Sequence, residues 1–319
     1  MRVVVTGGAG FIGSHLAERL VARGHEVVIY DSFAKQYAEA LKRRNVAAAL
    51  ALPGCTLIEG DILEAQRLDS AFSGHAVDVV VHLAATIGTP ASASVKSIVE
   101  ANVLGTHNVL DACRRHNTAR LVLVSSSVVY GAGASGPCRE LDATDRQLSV
   151  YAATKKMAET LAWLAHHQHG LNVWVVRPFS VYGPRQRPDQ VLYRCARAVM
   201  AGEPAELPGD GSATLDAIYI DDAVEAIALA AEAVKGHEVL NVGTGRGTTM
   251  RELVARLGVV LGLSPDVRPG PPDPALPAHS VADTETAQRL LGWRAAIDLD
   301  EGLRRFANWV RAEEFADEA

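Results

Sequence analysis

The chain has 319 residues, 48% hydrophobic and 21% charged, and its net charge is −6. Such a composition excludes a disordered or fibrous class, and the acidic balance argues against electrostatic binding of nucleic acid or membrane. The length has room for one large domain or two smaller ones, each with its own core. Cys55, Cys113, Cys138 and Cys195 are scattered without a C-x-x-C pair, so they read as reduced thiols of a cytoplasmic protein. No apolar run approaches the ~18 residues of a membrane span, so no membrane partner is expected.

The first stretch, Val3 to Val5, is a short β-branched run suited to a buried parallel strand. It leads into Gly7, Gly8, Gly10 and Gly13, which fit both the G-x-G-x-x-G fingerprint and its G-x-x-G-x-x-G variant. Missing Cβ atoms there permit a tight turn and close approach of backbone N–H groups to a pyrophosphate. The helix that follows presents its N-terminus to the same phosphates. A second apolar run, Glu26 to Tyr30, ends in Asp31, about 20 residues on, where an acid meets ribose hydroxyls. A carboxylate there repels a 2′-phosphate, which favours NAD over NADP.

Further apolar runs fall at Thr56–Ile58, Val77–Leu83, Arg120–Ser125, Asn172–Arg177 and Glu238–Val242. Helical patterns lie between them near 14–23, 38–50, 64–72, 98–116 and 151–169. This alternation predicts a Rossmann-type, doubly wound parallel α/β sheet of about seven strands. Beyond Pro178 the rhythm breaks into a helix near 189–202, a strand-like Thr214–Ile220 and a helix capped by Asp221. The tail carries helices near 249–262, 284–291 and 299–316 around a proline-rich segment, Pro265 to Pro277, expected as a surface loop. The expected division is a dinucleotide-binding domain, 1–178 plus 214–243, and a smaller, discontinuous C-terminal α/β substrate domain, 179–213 plus 244–319.

Two segments carry the candidate chemistry: Ser125-Ser126-Ser127 at a strand end, and Tyr151-x-x-x-Lys155 on one helix face. A free phenol titrates near ~10, and an ammonium at ~5 Å contributes about 3 kcal/mol towards its ionisation at an effective dielectric of ~20. His166, His167 and His169 lack a carboxylate at ligand spacing, so no metal site is expected.

The chain resembles the extended short-chain dehydrogenase/reductases, among them the NAD-dependent nucleotide-sugar epimerases and dehydratases. Thr6 to Gly13, Gly60-Asp61-Ile62, His82 to Ala85, Asn102 to Thr106, Ser125 to Gly131 and Tyr151 to Lys155 carry the likeness. It continues through Arg177 to Arg185, Tyr219 to Asp222, Asn241 to Thr244 and Leu291 to Trp293. The resemblance implies Tyr151 as acid/base, Lys155 as its activator and ribose ligand, and Ser126 as the accompanying hydroxyl, with Ser125 a lesser candidate. It implies a cofactor channel of Gly7, Gly10, Phe11, Ile12, Gly13, Asp31, Asp61, Ile62, Leu83, Ala84, Ala85, Tyr151, Lys155 and Pro178. For Asn102 a catalytic role and a structural one stand level, as do packing and site-wall roles for Tyr130 and Tyr182.

The implied reaction is C4 epimerisation of a UDP-hexose or UDP-uronic acid through a transient keto sugar, with a UDP-glucuronate decarboxylase, dehydratase or keto-sugar reductase as the alternative. Dehydratases of this group carry Asp-Glu directly after the catalytic hydroxyl; here Ser127 and Val128 stand there. Ser127, Ser180, Val191, Arg185 and Arg268 are the candidate substrate contacts. Leu215 replaces an arginine that clamps the diphosphate in the group, and Arg268, Arg246 or Arg185 is expected to substitute for it. A homodimer paired through the helices near 98–116 and 151–169 is implied as well.

Overall fold

The computed structural model describes residues 1–34, 36–87, 93–133 and 136–317. Seven strands form one all-parallel sheet: β1 (Arg2–Thr6), β2 (Glu26–Asp31), β3 (Cys55–Glu59), β4 (Val79–His82), β5 (Arg120–Val124), β6 (Asn172–Pro178) and β7 (His237–Val242). Their spatial order is β7-β6-β5-β4-β1-β2-β3, with Val4 registered against Val28 on one side and Val80 on the other. The order reverses direction between β1 and β4, and a crevice opens at that point beyond the strand ends.

Alternation along the strands assigns each face its cover. Val3, Val5, Val27 and Ile29 pack with Leu16 and Leu20 of α1 (Phe11–Ala22) and with Val46 and Ala49 of α2 (Glu39–Leu50). Val4, Val28 and Val80 pack on the opposite face with Val109 and Leu110 of α3 (Gly105–Arg115) and Ala158 and Ala162 of α4 (Val150–His169). Both faces are dry, which is why these strands read as continuous β-branched runs. Ahead of α3, the helix Val95–Val99 passes through a π-helical turn, Glu100–Leu104.

Further helices are α5 (Val191–Met200), α6 (Ile220–Ala233), α7 (Met250–Leu261) and α8 (Leu299–Asp317), with shorter ones at Ala65–Leu68 and Glu285–Leu291. The apolar cluster on the α1 face runs without interruption through Ile218 and Val224 to Leu253, Leu303, Phe306 and Val310. Three details differ from the sequence reading. The stretch 214–220 is two short strands, Thr214–Leu215 and Ala217–Tyr219, split by Asp216, whose buried carboxylate accepts Thr244 N, Gly245 N and Ala282 N. Tyr219, not Asp221, occupies the N-cap of α6; Asp221 lies inside the first turn. The proline-rich segment contains a strand, Val267–Gly270, paired with Ala205–Pro208; in a sheet of only two strands Pro269 needs no second partner. No helix among the described residues is long and apolar enough to cross a membrane.

Candidate active site

A single cleft of about 580 Å³ follows the crevice from the glycine turn, past Tyr151, to Leu215 and Met250. On its cofactor side, Gly7 adopts φ +72° and donates its N–H to Tyr30 O at 2.8 Å. A Cβ on Gly7 would stand 2.6 Å from Ala84 N, and one on Gly13 2.3 Å from Gly7 O. The turn is therefore closed to any side chain at both positions. Gly10 caps α1 without a side-chain acceptor, and Phe11, Ile12 and Gly13 line the cleft at that helix start. Their uncapped N–H groups and the helix dipole suit a pyrophosphate. Asp31 sits at the end of β2, accepting Ala9 N at 3.0 Å and Phe33 N at 2.8 Å, with Lys42 Nζ 3.8 Å away. Asp61, Ile62, Leu83, Ala84, Ala85 and Pro178 complete this wall, and the donor set fits NAD.

The segment around Thr86 is held from two sides. Asn102 accepts Thr86 N at 2.7 Å and donates to Thr86 O and to Thr154 Oγ1, each at 2.9 Å. Gln36 donates to Ala85 O at 3.0 Å from across the cleft. Asn102 lies within the π-helical turn, and π-turns commonly mark functional sites. All of its side-chain polar groups are engaged in these bonds, which fix the wall at Thr86.

Tyr151 and Lys155 both line the cleft from α4, whose start is fixed by Ser149 accepting Ala152 N at 3.1 Å. Lys155 is 4% exposed and donates to Val124 O, at the end of β5, at 2.6 Å. Burial pushes Lys155 down to about 8, opposed by the nearby Glu159 carboxylate. Burial likewise pushes Tyr151 up to about 12, and the opposing charge is Arg187. In the free chain desolvation outweighs attraction, so the phenol stands above its ordinary value and not below it as expected.

Ser126 and Ser127 line the cleft beside them; Val128 N donates to Ser126 Oγ at 3.4 Å, a long contact that leaves the hydroxyl available. Ser125 is engaged: its hydroxyl donates to Glu159 at 2.6 Å. Beneath it Arg177 grips both Glu159 oxygens and donates to Tyr130 Oη at 3.0 Å, while Tyr130 donates to Asn241 Oδ1 at 2.7 Å. Tyr130 is accordingly a packing residue off the cleft, whereas Tyr182 lines it.

Ser180 and Val191 stand on the cleft wall as expected, but Arg185 and Arg268 do not. Arg185 pairs with Glu18 at 2.7 Å, and Arg268, 60% exposed, pairs with Asp266 at 2.7 Å. Arg246 is exposed and off the cleft too. Sequence reading passed over Arg187, the one arginine among the described residues lining the cleft, 8% exposed and forked onto Asp189 at 2.9 and 2.5 Å. Its presence in Arg185-Gln186-Arg187 was visible, but nothing in that spacing says which arginine turns inwards. His166 is spent on Leu171 O at 2.9 Å, and no metal-ligating cluster exists among the described residues.

Residues 3–243 match the model of the NAD dependent epimerase/dehydratase family. The chain is 34% identical over 310 residues to a UDP-glucuronate 4-epimerase of Thermodesulfobacterium geofontis, covering 97% of this chain and 95% of that one. It superimposes with a TM-score of 0.91 on the UDP-glucuronic acid 4-epimerase of Bacillus cereus in complex with UDP-glucuronic acid and NAD, 30% identical, covering 98% and 100% of the two chains. A UDP-glucose 4-epimerase of Thermus thermophilus in complex with NAD is 34% identical, with a TM-score of 0.87 over 98% of this chain and 99% of that one.

Proposed function

Because the chain belongs to the NAD-dependent epimerase/dehydratase family, we propose that it inverts C4 of a UDP-uronic acid, UDP-glucuronate first among the candidates. What supports the uronate is Arg187, the one arginine among the described residues on the cleft wall that Tyr151 also lines, buried and positioned there by Asp189. A sugar placed with its C4 hydroxyl at Tyr151 brings its C5 carboxylate beside that hydroxyl, and in this reading Arg187 turns from Asp189 to take it in a charge-assisted pair.

NAD, held by the glycine turn, Asp31 and Lys155, would supply the hydride acceptor and donor for C4. Tyr151 accepts the C4 hydroxyl proton as the ketone forms and gives it back when the opposite face is reduced. Lys155, anchored by Val124 O, stabilises the phenolate, and Ser126 offers its hydroxyl to the same oxygen. Ser127 and Val128, which follow Ser126, cannot transfer protons for a dehydration.

Incubation with NAD and either UDP-glucuronate or UDP-glucose, followed by separation of products, tests this reading. The expected product is UDP-galacturonate without accumulation of NADH; release of carbon dioxide would reassign the activity to decarboxylation. Arg187→Gln is expected to reduce turnover of the uronate far more than of the hexose.

The same reading takes the protein as a cytoplasmic homodimer. Free, mostly buried cysteines support the compartment. Apolar side chains left exposed on neighbouring helices, Val95, Val99 and Leu104 on one side and Val150, Met157 and Leu164 on α4, support a second copy docking there. Light scattering should give twice the chain mass, falling to the single mass in Met157→Glu/Leu164→Glu.

A further inference from the structure

Tyr37 has no part in the chemistry above, yet it touches both ends of it. The residue before it in the chain is fastened to the opposite wall. Gln36 donates to Ala85 O at 3.0 Å and to Thr86 Oγ1 at 3.3 Å, and accepts Ile87 N at 3.3 Å. Tyr37 follows directly from that anchor and lines the cleft with Asp31 and Lys42.

Two cations meet this one ring. Lys42 Nζ lies 5.3 Å from its centroid and Arg187 Cζ 6.0 Å, both within the ~6 Å reach of a cation–π contact. Lys42 is also the ammonium 3.8 Å from Asp31, the acid placed for the dinucleotide's ribose. Arg187 is the guanidinium that the uronate reading requires, and its fork rests on Asp189. Tyr37 therefore links the cofactor's acid to the arginine for the sugar carboxylate. Its hydroxyl oxygen is shielded from solvent and has no hydrogen-bond partner among the described residues. A buried hydroxyl left so is unfavourable, and a polar ligand atom beside it relieves the cost.

We infer that Tyr37 is the positioning residue for Arg187 and couples the two ligands, so that bound NAD tightens the uronate. Its ring keeps the guanidinium in the cleft as it turns from Asp189 to the sugar carboxylate. Its hydroxyl takes a partner from the bound dinucleotide. A ring already fixed in this way loses less freedom when Arg187 moves onto the carboxylate, which makes the coupling favourable. The same factor applies in reverse, with the uronate tightening NAD. A UDP-hexose has no carboxylate for Arg187 and gains less. The inference rests on the uronate reading of the site.

The test is calorimetric titration of UDP-glucuronate and UDP-glucose into cofactor-free and NAD-loaded protein, in the Tyr151→Phe background so that no sugar is converted. NAD is expected to tighten the uronate about 5-fold or more, and the hexose less. Tyr37→Leu, which deletes the ring, should weaken the uronate about 2- to 5-fold more than the hexose, the value of one cation–π contact. Tyr37→Phe keeps the ring; it should preserve the uronate's affinity without NAD and lose the tightening by NAD. Uronate bound equally with and without NAD overturns the inference, and so does a Tyr37→Leu chain that loses both sugars alike. Arg187→Gln separates this from the reading beneath it. If Arg187→Gln weakens the uronate while both Tyr37 variants bind it as the unmodified chain does, the inference alone fails. If Arg187→Gln leaves the uronate unchanged, the uronate reading fails and the inference goes with it.

Discussion

Glu159 stands two turns beyond Tyr151 on the same helix and takes Arg177 on both oxygens, at 2.9 and 2.7 Å. The two side chains are 6% and 3% exposed. Ser125 donates to the same carboxylate, so one buried acid ties the catalytic helix to the ends of β5 and β6. Glu159→Gln leaves the guanidinium buried without its counter-charge, which should lower unfolding stability by about 3–5 kcal/mol. Urea denaturation of Glu159→Gln, Arg177→Met and the double variant checks it: the double variant should lose less than the two single losses summed.

A second expectation concerns acid. His82 is buried between Thr6 Oγ1 at 2.6 Å and Thr106 Oγ1 at 3.0 Å, and burial pushes its imidazole down to about 3. Below pH ~6.5 an unfolded chain takes up a proton at this ring while the native chain does not. Native stability is therefore intact above that pH and falls, by at most about 1.4 kcal/mol per pH unit from this one group, as pH drops towards about 3. His15, pushed down to about 4, adds a smaller loss of the same sign. Unfolding free energies measured between neutral and acid pH should show a shallower slope in His82→Gln.

Gly13→Ala should abolish cofactor binding. Its Cβ would lie 2.3 Å from Gly7 O and 2.7 Å from Gly8 Cα, both backbone atoms of the turn that faces the pyrophosphate. Neither can yield without moving helix from strand. Gly24→Ala, where a Cβ would meet nothing within 4 Å but φ is +80°, should cost stability only, about 1 kcal/mol, with cofactor affinity unchanged. Fluorescence titration with NAD and thermal melts separate the two.

Asn102→Ala frees the backbone at Thr86 and deletes three hydrogen bonds. Loss of stability of about 1–3 kcal/mol is expected from the unpaired buried groups. If Asn102 only shapes the wall, KM for the sugar and the affinity for NAD should worsen while kcat changes little; a collapse of kcat alone would make it part of the proton path.

Much of the architecture was legible because its strands are buried on both faces and so written in β-branched runs. Val3–Val5 and Glu26–Tyr30 fall inside β1 and β2 within a residue or so of their ends. What escaped was decided by pairing across long separations. Pro269 reads as a strand breaker, yet its segment finds Ala205–Pro208 as a single neighbour. The arginines show the same limit at the site. Arg268 is one of three arginines expected to replace the clamp, but Asp266, two residues away, holds it in solvent; Arg187 carries no such expectation, and Asp189, also two residues away, holds it inside. Equal local spacing gave opposite destinations, because the packing of α5 and the cleft wall, not the motif, sets which way each loop turns.

The uninterrupted apolar cluster joining the sheet to Phe306 and Val310 has a mechanical corollary. Swinging one half of the molecule as a rigid flap would tear that shared interior, so the two halves are expected to stay together while substrate enters. Differential scanning calorimetry should accordingly record one endotherm, and a hinge-locking crosslink between the halves should leave turnover as it was.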